Sequence, residues 1–299
     1  MSFNRQEING VFMFISCRKY INSRVISNNY RLTGDTKNGW KILYVICDPE
    51  LDSEYKLQFV KEGLNSNLLV IKGNDDYIHL FEKVVKAQYI IHKIFNVKEG
   101  IIKCDDDLLL NTRILENFLD NKNKGEYRGR NYSNTSFSTP GPEYCNSNRS
   151  DIEMEKYYAR NPNELIEIRK KIPDFNPKKY NVVPSLPGGA GGCGGIYFLS
   201  TYVSKKIVDY FKNCNFDVFY YDETSQSYPF IAEDVGTSFI TCKSGIVYTS
   251  DPNMFCHSNE RINEKALGFH THIQGNQLQE NKNIYTILNR GRSFNMIYR

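Results

Sequence analysis

"GIIKCDDDLLLNTRIL", residues Gly100 to Leu115, sets three consecutive aspartates, Asp105, Asp106 and Asp107, between two apolar runs. Like charges a few ångströms apart in a partly dry setting repel strongly, so the cluster has to be solvated, partly protonated or holding a cation. "GIIKC" has the length and composition of a buried strand, which puts the acids at a strand's carboxyl end, the edge where open α/β sheets bind ligands. In extended backbone Asp105 and Asp107 project to the same side and offer two hard oxygen donors. Such donors suit Mg²⁺ or Mn²⁺, which take one or two protein ligands and complete their shell with substrate phosphates. The structural alternative is an acidic turn in which Asp107 caps the next helix.

The flanking sequence reads as alternating strands and helices. "VFMFIS" (11–16), "KILYVIC" (41–47) and "NLLVI" (67–71) have the length of buried strands. "EYKLQFVKEG" (54–63) reads as a short helix. The stretch from Asp75 to Phe95 spaces Ile78, Phe81, Val85, Tyr89 and His92 for an amphipathic helix, with Asp75 or Asp76 able to cap its start. "LLNTRILENFLD" (109–120) is helical again. Residues 121–184 turn to Asn, Ser, Gly, Pro and charge around one helix at 162–172, as an insertion or lobe would. Order returns with a strand at "GGIYFLS" (194–200), a helix at 201–214 and a strand at "GIVYTS" (245–250), before a polar tail from His270 onward. One α/β domain over residues 8–260, carrying the 121–184 insertion and followed by an extension at 261–299, fits this order.

Composition narrows the function classes. With 40% hydrophobic residues, 24% charged residues and a formal net charge of +4, the 299-residue chain reads as globular, with no nucleic-acid partner expected. No apolar run approaches the roughly 18 residues of a membrane span, and the first residues lack a signal peptide's pattern, so a soluble, cytoplasmic protein with no integral membrane segment is expected. The eight cysteines form no C-x-x-C pair, which argues against a structural zinc site.

Further motifs add candidate chemistry. Glu233 and Asp234, in "AEDVGTSF", open another apolar run, where a carboxylate could act as general base on a hydroxyl or merely cap a turn. "PGGAGGCGG" (187–195) contains a literal G-x-G-x-x-G, but it precedes a strand instead of a helix, so it is no dinucleotide fingerprint. Its Gly189, Gly191 and Gly192 would let backbone approach a ligand closely. His257, in "MFCHSNE", is a lone histidine, a type more often structural than ligating, though imidazole is a competent Mn²⁺ ligand, while "HTH" (270–272) lies in the polar tail and attracts less weight. Arg18 and Arg24 could contact a phosphate or simply be solvated.

Taken in order, these features resemble the β1,3-galactosyltransferase/Fringe group of inverting glycosyltransferases, the family 31-like enzymes. The likeness rests on the arginines of "SCRKYINSRVISNNYRLTGDTKNGW" with Trp40, on "GNDDYIHLFEKVVK", on "IIKCDDDLLL", on "GGAGGCGGIYFLS", on "EDVGTSF" and on "MFCHSNE". It implies a GT-A fold, a Rossmann-like nucleotide-sugar-binding α/β domain with a mixed central sheet and an inserted acceptor-side lobe. It also implies a Mn²⁺-dependent (or Mg²⁺-dependent) hexosyltransferase acting on a nucleotide-sugar donor, most simply a galactosyl- or N-acetylglucosaminyl-like UDP-sugar, and a glycan or glycoconjugate acceptor. By the same resemblance Asp107 and His257 hold the metal and Asp234 is the base. Asp105, Asp106, Arg18 and Arg24 face the nucleotide, and Gly189, Gly191, Gly192 and Glu233 face substrate. The alternatives are a homologue that binds carbohydrate or nucleotide sugar without turnover and, further off, a metal-dependent phosphohydrolase.

Overall fold

The computed structural model of the chain describes residues 5–22, 38–59, 67–131, 155–171, 173, 192–212, 233–256 and 263–270. In chain order the elements are β1 (Gln6–Ile15), β2 (Trp40–Asp48), β3 (Tyr55–Phe59), β4 (Asn67–Lys72), α1 (Leu80–Ile94), β5 (Phe95–Asp105), β6 (Leu108–Leu110), α2 (Thr112–Asp120), β7 (Tyr127–Asn131), α3 (155–160), α4 (Pro162–Lys171), β8 (Gly192–Ser200), α5 (Thr201–Lys212), α6 (Glu233–Lys243), β9 (Tyr248–Ser250), β10 (Phe255–Cys256) and β11 (Gly268–His270). Among the described residues the strands make an eight-stranded mixed sheet in the order β3-β4-β2-β1-β5-β8-β7-β9 and a three-stranded sheet in the order β10-β11-β6. The protein is therefore α/β with a large mixed sheet. No helix among the described residues is long and apolar enough to cross a membrane.

Side-chain alternation builds the layers. On β1, Val11, Met13 and Ile15 face one side with Leu43, Val45, Leu69 and Ile101, where α1 covers them through Val84, Ala87, Ile90 and Ile91. Phe12 and Phe14 face the other side with Ile42, Tyr44, Val70 and Ile102, against α2 and the small sheet. Strands buried on both faces read as continuous apolar runs, which is why β1, β2, β4 and β5 were legible. Gly10 lets Trp40, itself fully buried, lie across β1, since a Cβ there would stand 2.4 Å from the indole ring. Toward the other end, α1, α5 and α6 share a cluster of Phe81, Val85, Val203, Ile207 and Ile240 over Tyr127, Tyr197 and Leu199.

Several local readings change. Residues 54–63 hold no described helix: Tyr55–Phe59 is a strand, antiparallel to β4, and its Tyr55, Leu57 and Phe59 recur at the strand period of two. "LLL" after the aspartates is β6, and α2 begins only at Thr112, with the Asn111 side chain accepting the Ile114 N–H at 3.4 Å. Asn111, not Asp107, is thus the cap. Residues 127–131, within the stretch that the sequence reads as an insertion, form β7 inside the main sheet between β8 and β9. At the far end, His270 is no tail residue, because it pairs with Leu108 at the close of β11.

Candidate functional site

Chain order fixes where a ligand cleft can form. From β1 the chain builds outward through β2 and β4, then crosses by α1 to β5 on the opposite side of β1, and both neighbours run parallel to β1. The reversal between β1 and β5 is a topological switch point, and the carboxyl ends of those strands part there. Ile15 and Asp105 stand in register at the last rung. Beyond them opens a cleft of about 380 Å³ lined by residues that include Ser16, Cys17, Tyr20, Asp75, Asp105, Asp106, Asp107, Gly194, Glu233, Asp234 and His270.

The three aspartates take separate directions. Asp106 turns inward and accepts from the Ser16 hydroxyl at 2.7 Å, a buried bond that ties the ends of β1 and β5 together. Asp105 accepts from the Lys103 ammonium at 2.5 Å, and its side chain stays one-third exposed to the cleft. Asp107 faces His270, whose Nε2 lies 3.6 Å from Asp107 Oδ2. That separation is too long for a good hydrogen bond. Adjacent donors about 2.1 Å from one octahedral cation stand about 3.0 Å apart, so the pair would have to close by about 0.6 Å to share an ion.

On the far side, Glu233 and Asp234 form the first turn of α6. Glu233 is buried, receives the Tyr197 hydroxyl on one oxygen and lies 3.0 Å from Lys103 Nζ on the other. Asp234 Oδ2 accepts the Gly194 N–H at 2.9 Å. A Cβ on Gly194 would stand 3.0 Å from that oxygen, so glycine there is what lets backbone and carboxylate meet so closely. Burial pushes the Asp105 carboxyl up to about 7 against the pull of Lys103, with Asp107 adding repulsion. Glu233 is raised by burial too, Lys103 opposing and Asp234 reinforcing. For Lys103 itself burial acts to lower the ammonium, but Asp105 and Glu233 outweigh it and hold the charge firmly in place.

The remaining wall is built on Asp75. Its oxygens accept from Arg18 N at 2.6 Å, Cys47 N at 3.0 Å and Lys83 Nζ at 2.6 Å. Asp76 accepts from Ile78 N and His79 N, at 3.1 and 3.2 Å, and binds the His79 ring at 2.6 Å, so it shapes the turn before α1.

Of the sequence candidates, Asp105, Asp106, Asp107, Glu233 and Asp234 share this one cleft. Arg18 lies outside its lining, with a side chain paired to Asp48 and only a backbone N–H directed to Asp75. Gly192 is buried beneath the Tyr127 hydroxyl, which accepts its N–H at 2.9 Å; Gly194 is the glycine that reaches the cleft. Arg24, Gly189, Gly191 and His257 lie outside the described residues. Sequence reasoning passed over Lys103, Lys83, Asp75 and Gly194 as site residues and gave His270 little weight. The available signals were a lysine among apolar strand residues in "GIIKC" and a histidine in the short apolar "LGFH".

Among the described residues no three His, Cys, Asp or Glu side chains converge as a closed metal cage. The Asp107 oxygen and the His270 imidazole nitrogen at the cleft edge are two donors that could hold a cation only with further ligands from outside the described residues. No protein-family model matches the chain, and no curated protein matches it.

Proposed function

We propose that the protein is a metal-dependent inverting glycosyltransferase of GT-A type, moving a sugar from a nucleotide diphosphate, most simply a UDP-sugar, to a hydroxyl of a glycan or glycoconjugate. The observation that carries this reading is the cleft at the β1/β5 switch point, with Asp107 facing His270 on one side and Asp234 anchored by Gly194 on the other. Asp107 and His270 would hold Mn²⁺ or Mg²⁺; His270 takes the part that the sequence resemblance gave to His257. When bound, such a cation neutralises charge on the departing diphosphate.

The chain's own groups divide the rest of the work. Asp234 takes the proton of the acceptor hydroxyl as that oxygen attacks the anomeric carbon, and the bond from that carbon to the diphosphate oxygen breaks with its electron pair leaving on the nucleoside diphosphate. Attack from the face opposite the leaving group inverts the configuration. The Gly194 N–H aims the base by donating to it. Asp106 and Ser16 keep the two strand ends at fixed separation, so donor and base meet at a fixed distance.

The test is release of nucleoside diphosphate from a panel of UDP-, GDP- and dTDP-sugars with Mn²⁺. Turnover of one donor, abolished in Asp107→Ala, His270→Ala and Asp234→Asn, is the expected result. A donor that binds with Mn²⁺ but is never turned over would replace the transferase with a binding protein.

A further inference from the structure

Lys103 occupies a position that alternation assigns to the core. Ile101, two residues earlier on β5, packs under α1, and Lys103 follows on the same face with its side chain 1% exposed, opposite Tyr197 of β8. An ammonium there needs strong compensation. It has three acceptors on three different elements: Asp105 at the end of β5, Glu233 in the first turn of α6 and the Gly194 carbonyl at the start of β8. An ammonium has three protons, so its donor capacity is filled. The peptide unit on the other side of Gly194 carries the N–H that holds Asp234.

We propose that Lys103 is a positioning residue that joins the acidic end of β5 to the base Asp234 through Glu233 and Gly194. The inference rests on the transferase reading for its kinetic consequence but not for its structural one. Without the ammonium, β8 and the start of α6 keep their own Gly194–Asp234 and Tyr197–Glu233 bonds but lose their tie to Asp105 at the end of β5, and Asp234 loses its alignment with whatever is held at Asp105 and Asp107. Misplacement of a reacting group by about 1 Å costs on the order of 100-fold in rate.

A neutral side chain at position 103 also strands two carboxylates, so Lys103→Met by itself can fail to fold. The Lys103→Met/Glu233→Gln pair removes one of those charges and restores stability without restoring the anchor. Two measurements on that pair and on Lys103→Arg decide the question. The first is hydrogen exchange at the Gly194 amide in the ligand-free protein. The expected result is at least tenfold faster exchange in the pair, with the β1 amides unchanged. The second is donor turnover with Mn²⁺, where kcat should fall on the order of 100-fold with KM for the donor within about threefold. Lys103→Arg should recover part of it. Unchanged exchange at Gly194, or a pair whose kcat returns along with its stability, would overturn the proposal and leave Lys103 as a charge-balancing core residue. Should the unmodified protein turn over no donor while Gly194 still loses protection in the pair, the transferase reading fails and the anchoring role stands.

Discussion

Two lysines lie buried at the floor of the same cleft, and they do different things. Lys83, reaching in from α1, meets one carboxylate, Asp75, which two backbone N–H groups already serve, and it spends another proton on the Ser16 carbonyl. Lys103, standing on β5, lies between two carboxylates, Asp105 and Glu233, within an acidic wall that also holds Asp106, Asp107 and Asp234. The Asp75 side is close to neutral and saturated with hydrogen bonds. On the β5 side, among the described residues, Asp105 and Glu233 share the Lys103 ammonium and stand with three further acids. Under the proposed transferase reading, a cation therefore belongs with the acids of the β5 wall.

The contrast is sharpest in stability. Lys103→Met should destabilise by about 3–5 kcal/mol, the usual cost of breaking a buried ion pair from one side, as read from urea unfolding. Adding Glu233→Gln should recover a large part of this. If Lys103→Met proves neutral, the acids around it are already protonated in the folded protein and the charge argument falls.

A third buried basic group extends the comparison, because among the described residues no carboxylate pairs with it. The His92 ring on α1 lies 2.9 Å from the Ser204 hydroxyl, which in turn donates to Gln88 at 2.8 Å. Burial, with Lys205 and Arg5 nearby, lowers His92 to about 4 from 6.5. The folded state therefore prefers the neutral ring and the unfolded chain takes the proton first. Stability is fully present above about pH 6.5, declines as pH falls toward 4 and is level below, a loss on the order of 3 kcal/mol. The difference between the unmodified protein and His92→Gln, followed by urea unfolding from pH 7 to 4, isolates this share.

A cation should act on one wall only. At a hundred times its Kd, Mn²⁺ with UDP should raise stability by about 2.7 kcal/mol, visible as a rise in Tm. Asp107→Ala or His270→Ala should remove that rise, while Asp75→Asn should lower the starting Tm and keep the increment. An increment that depends on Asp75 instead would move the cation to the other wall.

How much of this was legible depends on the range of the interactions. The buried strands announced themselves through continuous apolar runs, and the aspartates through their charge in such surroundings, both local signals. β3 misled because five residues with apolar side chains at every second position sit inside a longer charged stretch that also suits a helix, and only pairing with β4 decides between them. His270 could not be valued from its neighbours in sequence. What gives it meaning is antiparallel pairing with Leu108, which sets the end of β11 beside the acidic turn across more than 150 residues of chain. Lys103 was visible as a letter but not as a function, since its partners Glu233 and Gly194 come from elements far along the chain.

The smallest effect expected is that of Lys83→Met, and it is the one that tests whether the two walls differ in kind. Removing the ammonium leaves Asp75 with the Arg18 and Cys47 N–H groups, one on each oxygen, and with some access to the cleft, its side chain being 14% exposed. The Ser16 carbonyl loses its Lys83 hydrogen bond, yet the Ser16 hydroxyl keeps Asp106 in place, so the junction of β1 and β5 persists. Losing a hydrogen-bonding partner at a site otherwise satisfied costs about 1–2 kcal/mol. The expected outcome is a stability loss in that range by urea unfolding, with Mn²⁺-dependent turnover within about tenfold of the unmodified protein. A loss matching that of Lys103→Met would show that Asp75 leans on its ammonium as heavily as Asp105 and Glu233 lean on theirs. The cleft would then have two charge-dependent walls, and the cation would have no reason to prefer β5.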